Sequence, residues 1–146
     1  MIKEATKAIG VVTVKLLDKD GNIKENFTVP NLVVDTGTSH IISRMLNNVA
    51  TPMSHMAIGT SSAVPVVTDV ALGAELAREA LSSITTTGAT IQYNCTFGAG
   101  VGTGNVTEAG IFNAASSGTM LNRVIFGSVN KGALDTMLIL WSITIG

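Results

Sequence analysis

The sequence predicts an all-β fold: an antiparallel β-sandwich, jelly-roll-like, with one short α-helix near residues 38–48. Three observations point there. Residues 91–97 place Ile91, Tyr93, Cys95 and Phe97 in one phase and Gln92, Asn94 and Thr96 in the other. Side chains of a strand alternate between faces with a period of two, so this run is apolar on one side and polar on the other. The C-terminal run repeats the pattern, with Met137, Ile139, Trp141, Ile143 and Ile145 in phase. Turn signals also recur every ~8–12 residues, the spacing of sandwiches and barrels.

The elements follow in order. Residues 1–9 lack periodicity and read as an N-terminal arm; residues 10–146 form a single β domain. In 10–17, Val12, Val14 and Leu16 alternate with Thr13 and Lys15. Asp20, Gly21 and Asn22 make a hairpin turn, since Gly and Asn accept the positive φ such turns require. The return strand, 23–34, contains Pro30, which cannot donate to a central ladder and so marks an edge or a bulge. Residues 38–48 form the helix: Thr38 or Ser39 can cap it, and Ile41, Ile42, Met45 and Leu46 fall at helical spacing.

Residues 53–58 read as a short strand, followed by the exposed loop GTSSAVPVVTD. A helical turn is expected near 71–75, then a strand to about Thr86. Further strands are expected at 90–97, 107–113, 119–126 and 134–145, with GAGVGTG (98–104) as a flexible hairpin tip. Leu138 and Leu140 face opposite to Met137 and Ile139, so the last strand should be covered on both sides at its start.

Composition narrows the function. Charged residues are 13% of the 146, about half the usual quarter, while 46% are hydrophobic. A surface so poor in charge is either covered by other subunits or tolerated as sticky, and coverage is the expectation. The net charge is −1 and the nine Lys and Arg are scattered, which argues against nucleic acid, whose binding needs a basic stripe. No apolar run reaches the ~18 residues that span a bilayer. The first residues, MIKEATKAIG, lack the pattern of a signal peptide, so synthesis in the cytoplasm is expected. Cys95 is the single cysteine, which leaves no internal disulfide and no cysteine-rich zinc site.

The run Asp18–Asn22 carries its Gly at the fourth position and Val29 at the twelfth, so it lacks the ligands of a calcium loop. GAGVGTG is followed by a β pattern and not by the helix a phosphate cradle needs. His40 and His55 have no third ligand nearby. No GxSxG elbow is present, although a Ser–His–Asp triad assembled from distant positions leaves no sequence signature. Glu75, Glu79 and Glu108 show no pairing spacing and read as solvated or cap-binding carboxylates. Cys95 lies in the apolar phase and reads as a buried, inert thiol. No catalytic, cofactor or metal-binding residue is predicted, and no enzymatic activity.

The segments NLVVDTGTSHIISRML (31–46), MSHMAIGTSSAVPVVTDVALGAELAR (53–78), YNCTFGAGVGTGNVTEAGIFNAASSGTMLNRVIF (93–126) and VNKGALDTMLILWSITI (129–145) together resemble small virion structural proteins of tailed bacteriophages, of the head decoration (cement) or tail-fibre and collar type. The resemblance implies a β-sandwich protein of the phage particle without enzymatic activity; the short length is expected of a decoration protein on the outer surface of the head, bound to the major capsid protein. The resemblance equally admits the alternative, a tail-fibre, collar or adaptor protein bound to tail proteins and involved in host attachment. It further implies a homo-oligomer, taken as a trimer, with no membrane or nucleic-acid partner. The candidate partner contacts are Met1, Ile2 and Ile9 of the arm, Pro30 at a strand edge, and Gly100 and Gly102, where glycine permits close backbone approach.

Overall fold

The structure, a computed structural model, describes residues 8–47 and 50–146. It contains strands β1 (Ala8–Leu17), β2 (Ile23–Val33), β3 (His55–Gly59), β4 (Glu75–Ala80), β5 (Ser83–Thr87), β6 (Thr90–Phe97), β7 (Gly104–Phe112), β8 (Met120–Lys131) and β9 (Thr136–Ile145), with helix α1 (Asp35–Asn47) between β2 and β3. All-β with one short helix is therefore the architecture. The strands form one antiparallel sheet in the order β4-β3-β7-β8-β2-β1-β9-β6-β5.

That order dictates the shape. β4 and β5 stand at opposite ends of the nine-stranded sheet, yet only Leu81 and Ser82 separate them along the chain. Laid flat, nine strands would hold their edges roughly 38 Å apart at the usual ~4.8 Å spacing. A two-residue link reaches about 10 Å. The sheet must curl until its ends approach, and it does: Cys95 Sγ of β6 donates to the Ala80 carbonyl of β4 at 3.6 Å.

The weak seam of the curl is β2–β8, joined only at Leu32–Arg123 and Val33–Asn122. The β1–β2 hairpin, by contrast, runs in register from Gly10–Asn31 to Leu17–Ile23. Its turn is the predicted one: Gly21 has φ 85°, and Asp18 Oδ1 accepts the amides of Asp20 and Asn22, each at 2.9 Å.

Curling turns the apolar phases of the two halves toward each other. Val12, Val14 and Leu16 of β1, Tyr93, Cys95 and Phe97 of β6, and Met137, Ile139, Trp141 and Ile143 of β9 meet Met56 and Ile58 of β3, Val106, Ala109 and Ile111 of β7, and Leu121, Val124 and Phe126 of β8. A bulge at Thr107 shifts the register between Val106 and Glu108. The shift lets Val106, Ala109 and Ile111 all enter the main core. Glu108 and Phe112 then face the opposite side, where Val34, Ala57, Leu72, Phe112 and Met120 form a second cluster.

Four expectations are corrected. The helix begins at Asp35, so Thr38 does not cap it; its hydroxyl donates back to the Val34 carbonyl inside the first turn. Gly37 allows that early start, because a Cβ there would overlap the Leu121 carbonyl of β8. Residues 71–75 form no helical turn: the amides of Gly73 and Ala74 are taken by Glu108 instead of by helical carbonyls. The strand expected to run on to Thr86 is broken at Leu81–Ser82, where the chain passes from one sheet edge to the other.

GAGVGTG, finally, is not a hairpin tip. β6 pairs with β5 and β9, and β7 with β3 and β8, so this loop crosses between the two halves. Gly102 makes the crossing tight: its φ is 68°, and a Cβ would meet Ile58 Cδ1. Lys131, buried at the same end, donates to the Gly98 carbonyl at 2.8 Å.

At that end Asp135 accepts Lys24 Nζ at 2.9 Å and the Gly132 amide at 2.7 Å. Its pKa is lowered, first by the Lys24 hydrogen bond and then by the Gly132 amide. A carboxyl held below its unfolded value adds stability above that value and loses it as pH falls through the folded one. Denaturation midpoints followed from neutral pH to below about pH 4 should therefore fall for the wild type, and fall less steeply for Asp135→Asn. Identical slopes would contradict the role given to this carboxylate.

Candidate functional site

The half-sheet β2-β1-β9-β6-β5 presents its outer face in strand register. Ile9, Val11, Thr13 and Lys15 of β1 lie beside Pro30, Thr28 and Asn26 of β2 on one flank. On the other they lie beside Thr144, Ser142, Leu140 and Leu138 of β9. Thr90, Gln92, Asn94 and Thr96 of β6 and Ser83, Thr85 and Thr87 of β5 extend the same face. Lys15 is the one charged side chain among these positions.

Several of the polar side chains on this face are already paired with one another. The hydroxyls of Thr13 and Thr28 lie 3.0 Å apart and those of Thr90 and Thr144 2.8 Å apart. Gln92 donates to Asn94, which donates to Ser83. Away from Lys15, such a face can be covered without stripping water from a charge. Leu138 and Leu140 are half-buried, flanked by Lys15 and Thr13.

Of the candidate contacts, Ile9 and Pro30 are brought together here. Ile9 belongs to β1, opposite Thr144, and is 53% exposed; the boundary expected after residue 9 thus falls inside this strand. Pro30 is exposed and sits opposite Val11. β8 does not pair with β2 at Pro30, so the missing N–H leaves no gap in a ladder. Gly100 lies at the other end of the sheet, its amide on the Ala133 carbonyl, and Gly102 beside it packs on Ile58. Met1 and Ile2 lie outside the described residues.

A groove of about 570 Å³ opens between α1 and the ends of β5, β6 and β9. Its walls are mostly apolar (Ile41, Met53, Ile91, Leu121, Ile143), with His40, Arg44 and Tyr93 among them. Burial and the neighbouring Arg44 cation lower the His40 pKa; burial raises the Tyr93 phenol. Both groups therefore stay neutral at physiological pH. Arg44 itself donates to the Ala50 carbonyl at 2.8 Å.

The other residues singled out by sequence do not converge on this groove. His55 Nδ1 lies 2.7 Å from Ser54 Oγ, and no cluster of three or more His, Cys, Asp or Glu occurs among the described residues. Burial pushes the Cys95 thiol up to about 12, so it stays protonated and inert. Glu75 pairs with Arg78, whose guanidinium lies 3.8 Å over the Phe112 ring and donates to Ala114 and Ser117.

Glu108 is neither solvated nor a helix cap. It is fully buried and accepts the amides of Ser61, Gly73 and Ala74 and Arg123 Nε, at 2.8–3.0 Å. Arg123 also reaches Asp69 at 3.1 Å. This network anchors the 60–74 segment, which exposes Val64, Val66, Val67 and Val70. Sequence reasoning missed it, although a signal exists: Glu108 is the one charged residue between Glu79 and Arg123.

No family model, curated protein or solved structure matches the chain.

Proposed function

We propose that this chain is a non-enzymatic structural subunit of a tailed-bacteriophage particle, serving as a head decoration (cement) protein on the outer surface of the DNA-filled head. The observation that carries the proposal is the charge-poor outer face of the β2-β1-β9-β6-β5 half, where Lys15 is the one charge among the positions named above, with Ile9, Val11 and Pro30 exposed at one corner. Water-facing surfaces normally carry about a quarter to a third Lys, Arg, Glu and Asp. A face of uncharged Thr, Ser, Asn and Gln, part of it internally paired, suits docking onto another protein. The sequence resemblance to small virion proteins supports a partner in the phage particle, and the partner proposed is the major capsid protein.

A cement subunit must hold neighbouring capsid subunits against the pressure of packaged DNA. Individually modest contacts suffice when several are linked, because each further contact forms at high effective concentration. Apolar and backbone contacts depend little on ionic strength.

The test is co-sedimentation of the purified chain with phage heads that lack it. Saturable binding that persists from low to high salt is expected, and Val11→Lys should reduce it at least about tenfold, the effect of ~1.4 kcal/mol, by placing a charge on the face to be buried. Binding to purified tails and not to heads would overturn the head assignment in favour of a tail-fibre, collar or adaptor role. Binding to neither would overturn the proposal as a whole.

A further inference from the structure

We infer that the open edge of β5 pairs antiparallel with β5 of a second copy of this chain, about a two-fold axis through Thr85. β5 pairs with β6 along Ser83–Asn94 to Thr87–Thr90 and ends the sheet order, and all five of its residues are exposed. An edge strand offers a row of unpaired N–H and C=O groups to any passing strand, and proteins usually blunt such edges with charge, proline, bulges or very short strands.

The other edges of this sheet are blunted. β4 carries Glu75, Arg78 and Glu79 within six residues. The side of β2 that β8 leaves open carries Lys24, Glu25 and Pro30. β5 reads SITTT. It has no charge, no proline and no bulge in its register, and its five residues match an ordinary strand length of about 5–6.

The occupant follows from the same comparison. A strand laid against β5 should be uncharged and β-branched, and among the described edges β5 itself is the one that qualifies. Centring the pair on Thr85 sets Ser83 opposite Thr87 and Ile84 opposite Thr86, so every residue of the strand is used. Ile84 stands opposite Tyr93, on the core-facing side, yet is 48% exposed. It lacks cover on the open side of its strand, and Thr86 of the second copy would supply it. The same two-fold would join the two copies' grooves, since Thr86 lines the groove beside α1. The result is an isologous, closed dimer contact; the trimer implied by the resemblance would need a separate interface. The pairing requires no capsid, so it stands or falls apart from the head assignment.

Cysteine trapping on the full chain tests it, with Cys95 buried and unreactive as the background. Opposed Cα atoms in an antiparallel pair lie ~4.5–5.5 Å apart, within disulfide range. Under mild oxidation Thr85→Cys should give a disulfide-linked dimer. Ser83→Cys mixed with Thr87→Cys should cross-link to each other. Ser83→Cys alone should not, because its two copies would sit roughly 14 Å apart at ~3.4 Å per residue.

Adding Thr85→Lys to the Ser83→Cys and Thr87→Cys chains should cut their cross-linking at least about tenfold, by setting like charges face to face. Thermal midpoints of the reduced variants, measured at a concentration too low for dimer, should remain at the wild-type value because these side chains are exposed. No dimer from Thr85→Cys would overturn the inference. Equal trapping of Ser83→Cys alone, or trapping insensitive to the lysine, would overturn it as well.

Discussion

Glu108→Ala should lower the stability of the protein by about 3–5 kcal/mol, the usual effect of breaking a buried ion pair. The carboxylate is fully buried, with Oε1 accepting Gly73 N and Arg123 Nε and Oε2 accepting Ser61 N and Ala74 N. Truncation leaves three loop amides and a buried guanidinium to find other partners. Glu108→Gln keeps the volume but turns one acceptor atom into a donor facing other donors, so it should lose much of the same stability.

Arg123→Met alone should also be costly, since it leaves the buried carboxylate with its three amides but without its cation. The double variant Glu108→Leu/Arg123→Met should lose clearly less than the sum of the single losses, because each partner's deletion removes the reason the other is harmful. Urea denaturation with an unchanged slope is the measurement. Limited proteolysis should show the 60–74 segment cleaved first in Glu108→Ala, as its anchoring amides are released. A loss below about 1 kcal/mol, as for an exposed pair, would contradict the account.

Trp141→Ala should cost a further class of energy, about 3–5 kcal/mol from lost packing and the cavity left behind. Trp141 is fully buried at the middle of β9, between Val12 of β1 and Tyr93 of β6. It lies where the curled halves close on each other, so no neighbour can easily collapse into its place. Its Nε1 has no protein hydrogen-bond partner. Trp141→Phe should therefore be much milder, because it removes an unpaired buried donor along with part of the volume. Thermal or urea unfolding of both variants ranks them. A Trp141→Phe variant as unstable as Trp141→Ala would show that the indole nitrogen is satisfied in solution.

The local β pattern was legible because it depends on side-chain period alone. The alternation at 91–97 and the Asp18–Asn22 turn stand as read. Which strand pairs with which depends on contacts far apart in sequence, and here the reading failed. GAGVGTG looked like a hairpin tip because strands flank it, yet its two strands belong to different halves of the curl. The bulge at Thr107 was equally hidden. One inserted residue reverses the phase of β7, taking Glu108 away from Val106 and under the 60–74 segment, where an unbroken alternation would have kept them on one face.

At the candidate surface, the sequence reported the scarcity of charge but not its location. The neutral residues fall on one face only because β1, β2, β5, β6 and β9 lie side by side. The open edge at β5 appears only once its place at the end of the sheet is known. Pro30 was the exception, because proline states its own requirement: it sits where β8 makes no ladder to β2.

The most direct measurement of whether this chain is a cement subunit is its abundance, by quantitative mass spectrometry, relative to the major capsid protein in purified, DNA-filled particles. A molar ratio of the same order as the capsid protein, lost together with the heads when particles are fractionated, is the predicted result. A ratio lower by orders of magnitude, with the chain recovered in the tail fraction or in no particle fraction, would contradict it.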